Sequence, residues 1–270
     1  MIILRKATLY VLLLICAIVI MFPILYAFFI SFLSGAELLQ GKWWPTKWSF
    51  RNYINAFHKV PLDRYLWNSF VVSCIVMIGQ LVVSSLAAYA FVFLRFPGRN
   101  ILFFVTIMTM LVPWEATVIP NYLTVQTLGW TNNYFGLTIP FFALAFGIFL
   151  LRQHFKTIPF ELYEAAQVCG VQHFRFFWYV VLPLSKGSLA TLGLYSFLTT
   201  WNMYLWPLLV TNDERVRTVQ IGLKQMQTQE IATEWGVVMA AVIIVIFPTL
   251  LLLFIGQKQL QKGLMQGAIK

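Results

Sequence analysis

Charge is what this sequence has least of. Of 270 residues, 19 are Lys or Arg and nine are Asp or Glu, 10% together, against 60% hydrophobic residues. A water-soluble domain carries about 25% charged and about 45–50% apolar residues. A soluble fold of this make-up could not cover its apolar surface, so the chain needs lipid as part of its solvent. Cysteine is scarce too. Cys16, Cys74 and Cys169 show no zinc or redox spacing, which argues for free thiols and against a disulfide framework. The three histidines, His58, His154 and His173, fall in expected loops without carboxylate or Cys partners, so no metal site is expected. No G-x-x-x-x-G-K-[ST] run occurs, so the chain itself is not expected to bind or hydrolyse ATP. The formal charge of +10 is scattered singly between apolar runs and forms no stripe, which excludes a nucleic-acid partner.

What the sequence does have is long apolar runs. A spanning helix takes about 20 mostly apolar residues, and six stretches qualify, near 9–33, 67–94, 101–120, 134–151, 187–210 and 237–256. The first follows Arg5 and Lys6 as a signal peptide would. Its run from Tyr10 to Leu33 exceeds an h-region of about 7–15 residues, and no small-residue cleavage site follows, so an uncleaved span is expected. The expected fold class is all-α: a polytopic membrane protein with six transmembrane helices. Residues 1–66 would hold the first span and an external loop, and 67–270 a five-span core.

Orientation follows from Lys and Arg. With a cytoplasmic N-terminus, eleven basic residues fall inside and eight outside. The short 95–100 turn carries Arg95 and Arg99, whereas the 121–133 loop carries no charge. Both termini are therefore expected in the cytoplasm. Trp43, Trp44 and Trp48 in the 34–66 loop suit a membrane–water boundary.

The segment 152–186 is the most informative. Pro159 fits a first helical turn, where its missing N–H costs little. Glu161 and Glu164 favour the positive end of the helix dipole. Leu162, Ala165, Ala166 and Cys169 make a narrow apolar face, and Gly170 can supply a left-handed cap. A second short helix would place Phe174, Phe177, Trp178 and Val181 on one face, heavy enough for the membrane interface. On these grounds the segment is either a surface that another protein approaches closely or a plain connector lying on the membrane.

Glu164-Ala165-Ala166, three residues, Gly170, nine residues, Val180, one residue and Leu182-Pro183 resembles the signature of permease subunits of binding-protein-dependent ABC importers, with Val180 where Ile is commoner. Trp201-Asn202-Met203-Tyr204-Leu205-Trp206-Pro207-Leu208, Thr233-Glu234-Trp235 and Lys262-Gly263-Leu264 with Gly267-Ala268 resemble the carbohydrate-type branch. Arg217-Thr218-Val219-Gln220 and Gln227-Thr228-Gln229-Glu230 resemble the second permease subunit of glycerol-3-phosphate importers. The resemblance covers nearly the whole chain. It implies a coupling helix at about 159–170, between spans four and five, in which Glu161, Glu164, Ala165, Ala166 and Gly170 meet a cytoplasmic ATPase dimer. It also implies a second permease subunit making a heterodimer, an extracytoplasmic substrate-binding protein, and a bacterial or archaeal cytoplasmic membrane. No cofactor would be bound by this chain, ATP and Mg belonging to the partner ATPase.

Polar groups at membrane depth tend to face cavities. Glu115, between Pro113 and Pro120, is either a pathway residue or a hydrogen-bond acceptor at the outer boundary. Asn202 and Tyr204, beside Trp201 and Trp206, offer an amide and aromatic planes suited to a sugar or polyol, or serve as boundary anchors. Gln80, Ser84 and Ser85 line the cavity or hydrogen-bond to neighbouring helices, the latter being the stronger reading. The long segment 211–236 either meets the binding protein or is a solvated loop. The spans hold almost no cations, so a phosphate would be met by loop cations or by partner proteins. A gradient-driven secondary transporter is the alternative; it would want several deep ionisable residues, and only Glu115 is a candidate. An intramembrane enzyme would need a nucleophile–base or metal constellation, and none is present, so no catalytic residue is expected.

Overall fold

In lipid a crossing backbone must satisfy its own N–H and C=O groups, which favours helices. The computed structural model of the chain describes residues 2–227 and 234–268, with side chains placed for residues 6, 8–227 and 234–257. Thr228, Gln229, Glu230 and Thr233, and the side chains of the 262–268 motif, lie outside the described residues. The regular structure among the described residues is helical throughout. In chain order it comprises α1 (Ile2–Ile30), α2 (Gly35–Leu39), α3 (Arg51–Lys59), α4 (Leu62–Phe93), α5 (Arg99–Met108), α6 (Trp114–Thr127), α7 (Tyr134–Thr138) and α8 (Ala145–Phe155). There follow α9 (Phe160–Val168), α10 (His173–Phe176), a π-helical turn Phe177–Val181, α11 (Leu182–Leu184), α12 (Lys186–Trp201), α13 (Leu205–Val210), α14 (Val219–Gln227) and α15 (Trp235–Ala268).

Among the described residues, three helices are long and apolar enough to cross a membrane unbroken: Thr8–Ile30, Leu62–Phe93 and Trp235–Gln257. Two further candidates are broken. Arg99–Leu111 and Trp114–Thr127 meet at 101°, and Tyr134–Phe141 and Ala145–Phe155 at 44°. Proline explains the sharper break. A residue before proline is pushed out of the helical region, and Val112 is extended (φ −80°, ψ 115°) ahead of Pro113. The stretch expected as span five is also divided, α12 ending before Asn202 and α13 starting at Leu205. Pro207 can offer no N–H to the Met203 carbonyl one turn back.

The chain folds as two compact units. The first comprises Met1–Leu66 and Val219–Pro248. Here the last turn of α1 buries Ala27 and Ile30, with Phe32 and Leu33 just beyond it. Phe29 packs on Trp44 with ring centroids 4.5 Å apart, and Phe32 on Trp48 at 4.9 Å. Ser34 and Glu37 form a capping box at the start of α2, Ser34 N–H donating to Glu37 Oε2 at 2.9 Å. Thr46 donates its backbone N–H (3.2 Å) and its hydroxyl to Glu37 Oε1. The Thr46 hydroxyl, then Ser34, hold the Glu37 carboxyl down to about 2. Asn52 Nδ2 donates to the Ser31 and Leu33 carbonyls at 2.9 and 2.8 Å. Lys59 pairs with Glu234 at 3.0 Å.

The second unit comprises Trp67–Thr218 and Thr249–Lys270. It holds one core around Val72, Val76, Val118, Leu137, Trp206 and Val210, and another around Tyr89, Phe93, Leu151, Phe155, Tyr163, Phe176 and Leu192. Close approach of α4, α8 and α12 depends on small residues, as helix contacts in lipid do. A Cβ added at Gly147 of α8 would lie 2.6 Å from Ser84 Oγ of α4 and 3.1 Å from Leu192 of α12.

Candidate functional site

The segment between α8 and α12 is built from short pieces. α8 continues through Arg152 to Phe155, so Arg152 is a buried helix residue rather than the first residue of a loop. Its guanidinium carbon lies 3.7 Å from the centroid of the Phe103 ring, a cation–π contact. Pro159 is the N-cap of α9, and Glu161 lies in the first turn, where the helix dipole favours an acid. Gly170 adopts φ +71°. Its N–H bonds the Gln167 carbonyl at 2.9 Å, and the Val171 N–H bonds the Ala166 carbonyl at 2.8 Å. These two bonds form a Schellman motif, which requires the left-handed residue that glycine supplies without strain.

The faces of α9 sort in a way its apolar spacing does not convey. Glu161, Leu162, Glu164, Ala165 and Cys169 are exposed, Ala166 is half-buried, and the buried residue is Tyr163. Tyr163 packs on Phe93 of α4 and Phe176 of α10, with ring centroids 5.6 and 5.3 Å away. An aromatic side chain carries the largest area to bury, so one tyrosine outweighs the smaller leucine and alanine face. A cavity of about 520 Å³ opens beside it, lined by residues that include Arg95, Phe96, Phe160, Glu164 and His173.

The next helix corrects the expected single face of Phe174, Phe177, Trp178 and Val181. Phe177 and Val181 are buried together with Phe176, whereas Phe174 and Trp178 are exposed and stack at 6.4 Å. The π turn is the reason. Its wider turn keeps residues four apart together, Phe174 with Trp178 and Phe177 with Val181, and rotates residues three apart off a common face. It precedes Pro183, which has no N–H for the Tyr179 carbonyl and whose ring would crowd it in a regular helix. Ser185 closes the turn, its N–H and hydroxyl both donating to the Val181 carbonyl at 3.1 and 2.6 Å.

The candidate pathway residues gather only in part. Trp114, Phe141 and Trp206 form an aromatic triad with centroids 5.1–5.7 Å apart. Glu115 follows Trp114 and is exposed. Gln80 is buried, and its Nε2 donates to the Phe141 carbonyl at 2.8 Å, at the break between α7 and α8, while its Oε1 is buried without a partner. That break frees backbone carbonyls, and Gln80 serves as the interhelical donor that one of them needs. Tyr204 is half-buried two residues before Trp206. Asn202 is exposed and turns its Nδ2 back onto the Leu198 carbonyl at 2.8 Å, closing the end of α12. Trp206 is fully buried and donates Nε1–H to the Gly136 carbonyl at 2.9 Å.

Two asparagines that sequence reading passed over hold the 211–217 loop. Asn68 Nδ2 donates to the Arg215 and Arg217 carbonyls, both at 2.9 Å, and its Oδ1 accepts from Tyr134 at 2.7 Å. Asn132 sits at φ +53°, and its Oδ1 accepts from the Asn212 and Asp213 N–H groups at 2.6 and 2.9 Å. The adjacent pair Asn132-Asn133 was the available signal, since asparagine is enriched at left-handed positions.

Residues 80–266 match the family described as the binding-protein-dependent transport system inner membrane component. The chain belongs to that family. This ABC importer permease is similar to the sn-glycerol-3-phosphate transport system permease protein UgpE of Brucella abortus strain 2308, with 38% identity over 259 residues and 92% of each chain covered. It is likewise similar to UgpE of Rhizobium meliloti strain 1021, 38% identical over 267 residues and 95% of each chain. UgpE of Yersinia pestis bv. Antiqua strain Antiqua is 36% identical over 267 residues, covering 96% of this chain and 95% of its own. Among solved structures, a bacterial ABC transporter involved in the import of the acidic polysaccharide alginate aligns with a TM-score of 0.82 and 29% identity, over 94% of this chain and 96% of that one. The permease is thus a multi-pass inner-membrane transport component, not an enzyme.

Proposed function

We propose that the permease forms half of the translocation pathway for a polyol phosphate of the sn-glycerol-3-phosphate kind, and that α9 is its coupling helix. The observation that carries the coupling reading is the sidedness of α9. One tyrosine ties it to the rest of its unit, while Glu161, Glu164 and Ala165 stay exposed. A cytoplasmic ATPase dimer, holding ATP and Mg, would grip that face. Six crossings with both termini inside complete the reading, the broken pairs α5–α6, α7–α8 and α12–α13 each counting as one. A second permease subunit supplies the other half of the pathway, and an external binding protein delivers the substrate. The substrate assignment is supported by the substrate named for the relatives.

Two experiments test this. Uptake of labelled sn-glycerol-3-phosphate by cells carrying the complete importer should vanish when this chain is deleted. Excess unlabelled sn-glycerol-3-phosphate should compete and a neutral disaccharide should not; competition by the disaccharide instead would overturn the substrate class. Cys169, exposed at the end of α9, reports topology and docking. With Cys16 and Cys74 replaced by Ser, a membrane-impermeant maleimide should label Cys169 in inverted vesicles, more slowly once the ATPase is assembled. Labelling from the outer side of intact spheroplasts would end the coupling proposal.

A further inference from the structure

His173 is the first residue of α10, yet both of its ring nitrogens are engaged by other helices. Nδ1 lies 3.0 Å from the Tyr89 hydroxyl of α4, and Nε2 lies 3.3 Å from the Tyr163 hydroxyl of α9. The chain extends at each end. Gln167 Nε2 donates to the Tyr163 oxygen at 2.8 Å, and the Tyr89 hydroxyl donates to the His173 carbonyl at 3.2 Å.

Proton counting assigns one self-consistent direction to each bond. The one proton of Tyr89 goes to the His173 carbonyl, so the Nδ1 contact needs Nδ1–H as the donor. In a neutral imidazole Nε2 is then an acceptor, and it takes the proton of Tyr163, whose oxygen is already accepting from Gln167. Every hydroxyl proton is used once, and the tautomer follows from the network. With the opposite tautomer, Nε2–H would give Tyr163 a second donor and leave its own proton with no acceptor among the described residues.

The geometry points to His173 as a positioning residue that links the coupling helix to the end of α4. Displacement of α9 then pulls on α4 through the series Gln167–Tyr163–His173–Tyr89. Aromatic packing surrounds the series: Phe93 lies 5.0 Å from Tyr89 and 5.6 Å from Tyr163. Packing alone resists compression but slides under shear. A directional series of hydrogen bonds fixes the register between the two helices. This inference rests on α9 being the coupling helix, and it adds where the motion goes next.

The test uses the full importer, reconstituted with its ATPase, second permease and binding protein. The readout is the ratio of ATPase activity with substrate-loaded binding protein to activity without it. Tyr163→Phe and Tyr89→Phe keep the rings, and each removes the two hydrogen bonds its hydroxyl makes in the series. Links in series are non-additive: either single variant should lower the ratio about tenfold, and the double variant no further. Independent structural losses would multiply instead. Retention of the ratio within about twofold in either single variant, or multiplied losses in the double, overturns the inference. Glu164→Trp, on the exposed face of α9, is measured alongside. If it leaves the ratio unchanged, the coupling reading itself fails. If it lowers the ratio while the phenylalanine variants do not, only the series falls.

Discussion

Helix α1 and the divided pair α12–α13 are both strongly apolar, but they are made for different solvents. From Leu9 to Ile20, Leu, Ile and Val side chains of α1 are exposed by half or more, and burial begins only at its last turn. α12 buries Ser188, Thr191, Leu192, Gly193, Ser196, Phe197, Thr200 and Trp201, and α13 buries Trp206, Pro207 and Val210. The first exposes branched aliphatics, whereas α12 buries mainly small and hydroxyl-bearing residues and α13 adds the large indole of Trp206. Lipid tails solvate leucine as well as a protein core does, so tight helix contacts in a membrane are bought with small residues rather than large ones. Hydropathy finds both helices and cannot tell which faces protein; the placement of Gly, Ser and Thr can.

The sharpest way to break this contrast is Trp206→Ala. Loss of a fully buried indole and its bond to the Gly136 carbonyl should cost about 3–5 kcal/mol, read by thermal or denaturant unfolding in detergent. Gly147→Leu comes next. Its side chain would collide with Ser84 and Leu192, and overpacking of this kind costs about 1–3 kcal/mol. Gly170→Ala should cost about 1–2 kcal/mol, the strain of a side chain at φ +71°, seen as faster amide exchange at Gln167 through Val171. Leu14→Ala in α1 should change stability by less than about 0.5 kcal/mol, because lipid replaces what is removed; a loss as large as that of Gly147→Leu would mean that protein covers this face. The smallest effect is a pH dependence at the buried end of α1. Glu37 has its carboxyl lowered from 4.5 to about 2 when folded, so the closure it makes with Thr46 is fully present above pH 4.5 and is lost as pH falls through about 2. Fluorescence of Trp44 and Trp48 should report that transition in wild type and miss it in Glu37→Gln.

Local chemistry was legible in the residues. Apolar runs located the helices, and the Gly170 cap followed from a glycine after a helical pattern; the 101° break falls at Pro113, while Pro120 sits inside α6. What escaped depended on residues distant in the chain. Tyr163 took over the face of α9 because Phe93 and His173 were waiting for it, and Asn68 found carbonyls 147 and 149 residues away. The π turn combined both causes. Pro183 gave the local reason, but the burial of Phe176 and Phe177 against α4 decided which side chains turned inward. Gln80 was open to two readings, lining the cavity or bonding to a neighbouring helix; its bond to the Phe141 carbonyl at a broken span depends on a residue 61 positions away.

The cap at Gly170 has a consequence for assembly. Because the Gln167 and Ala166 carbonyls are already closed by backbone N–H groups, the far tip of α9 presents few thirsty oxygens. A protein settling over it strips water mainly from side chains, a smaller dehydration toll than that of a frayed terminus. On the coupling role proposed above, the segment would be seated and released in every turnover as a preformed plug, without melting or re-forming its last turn each time.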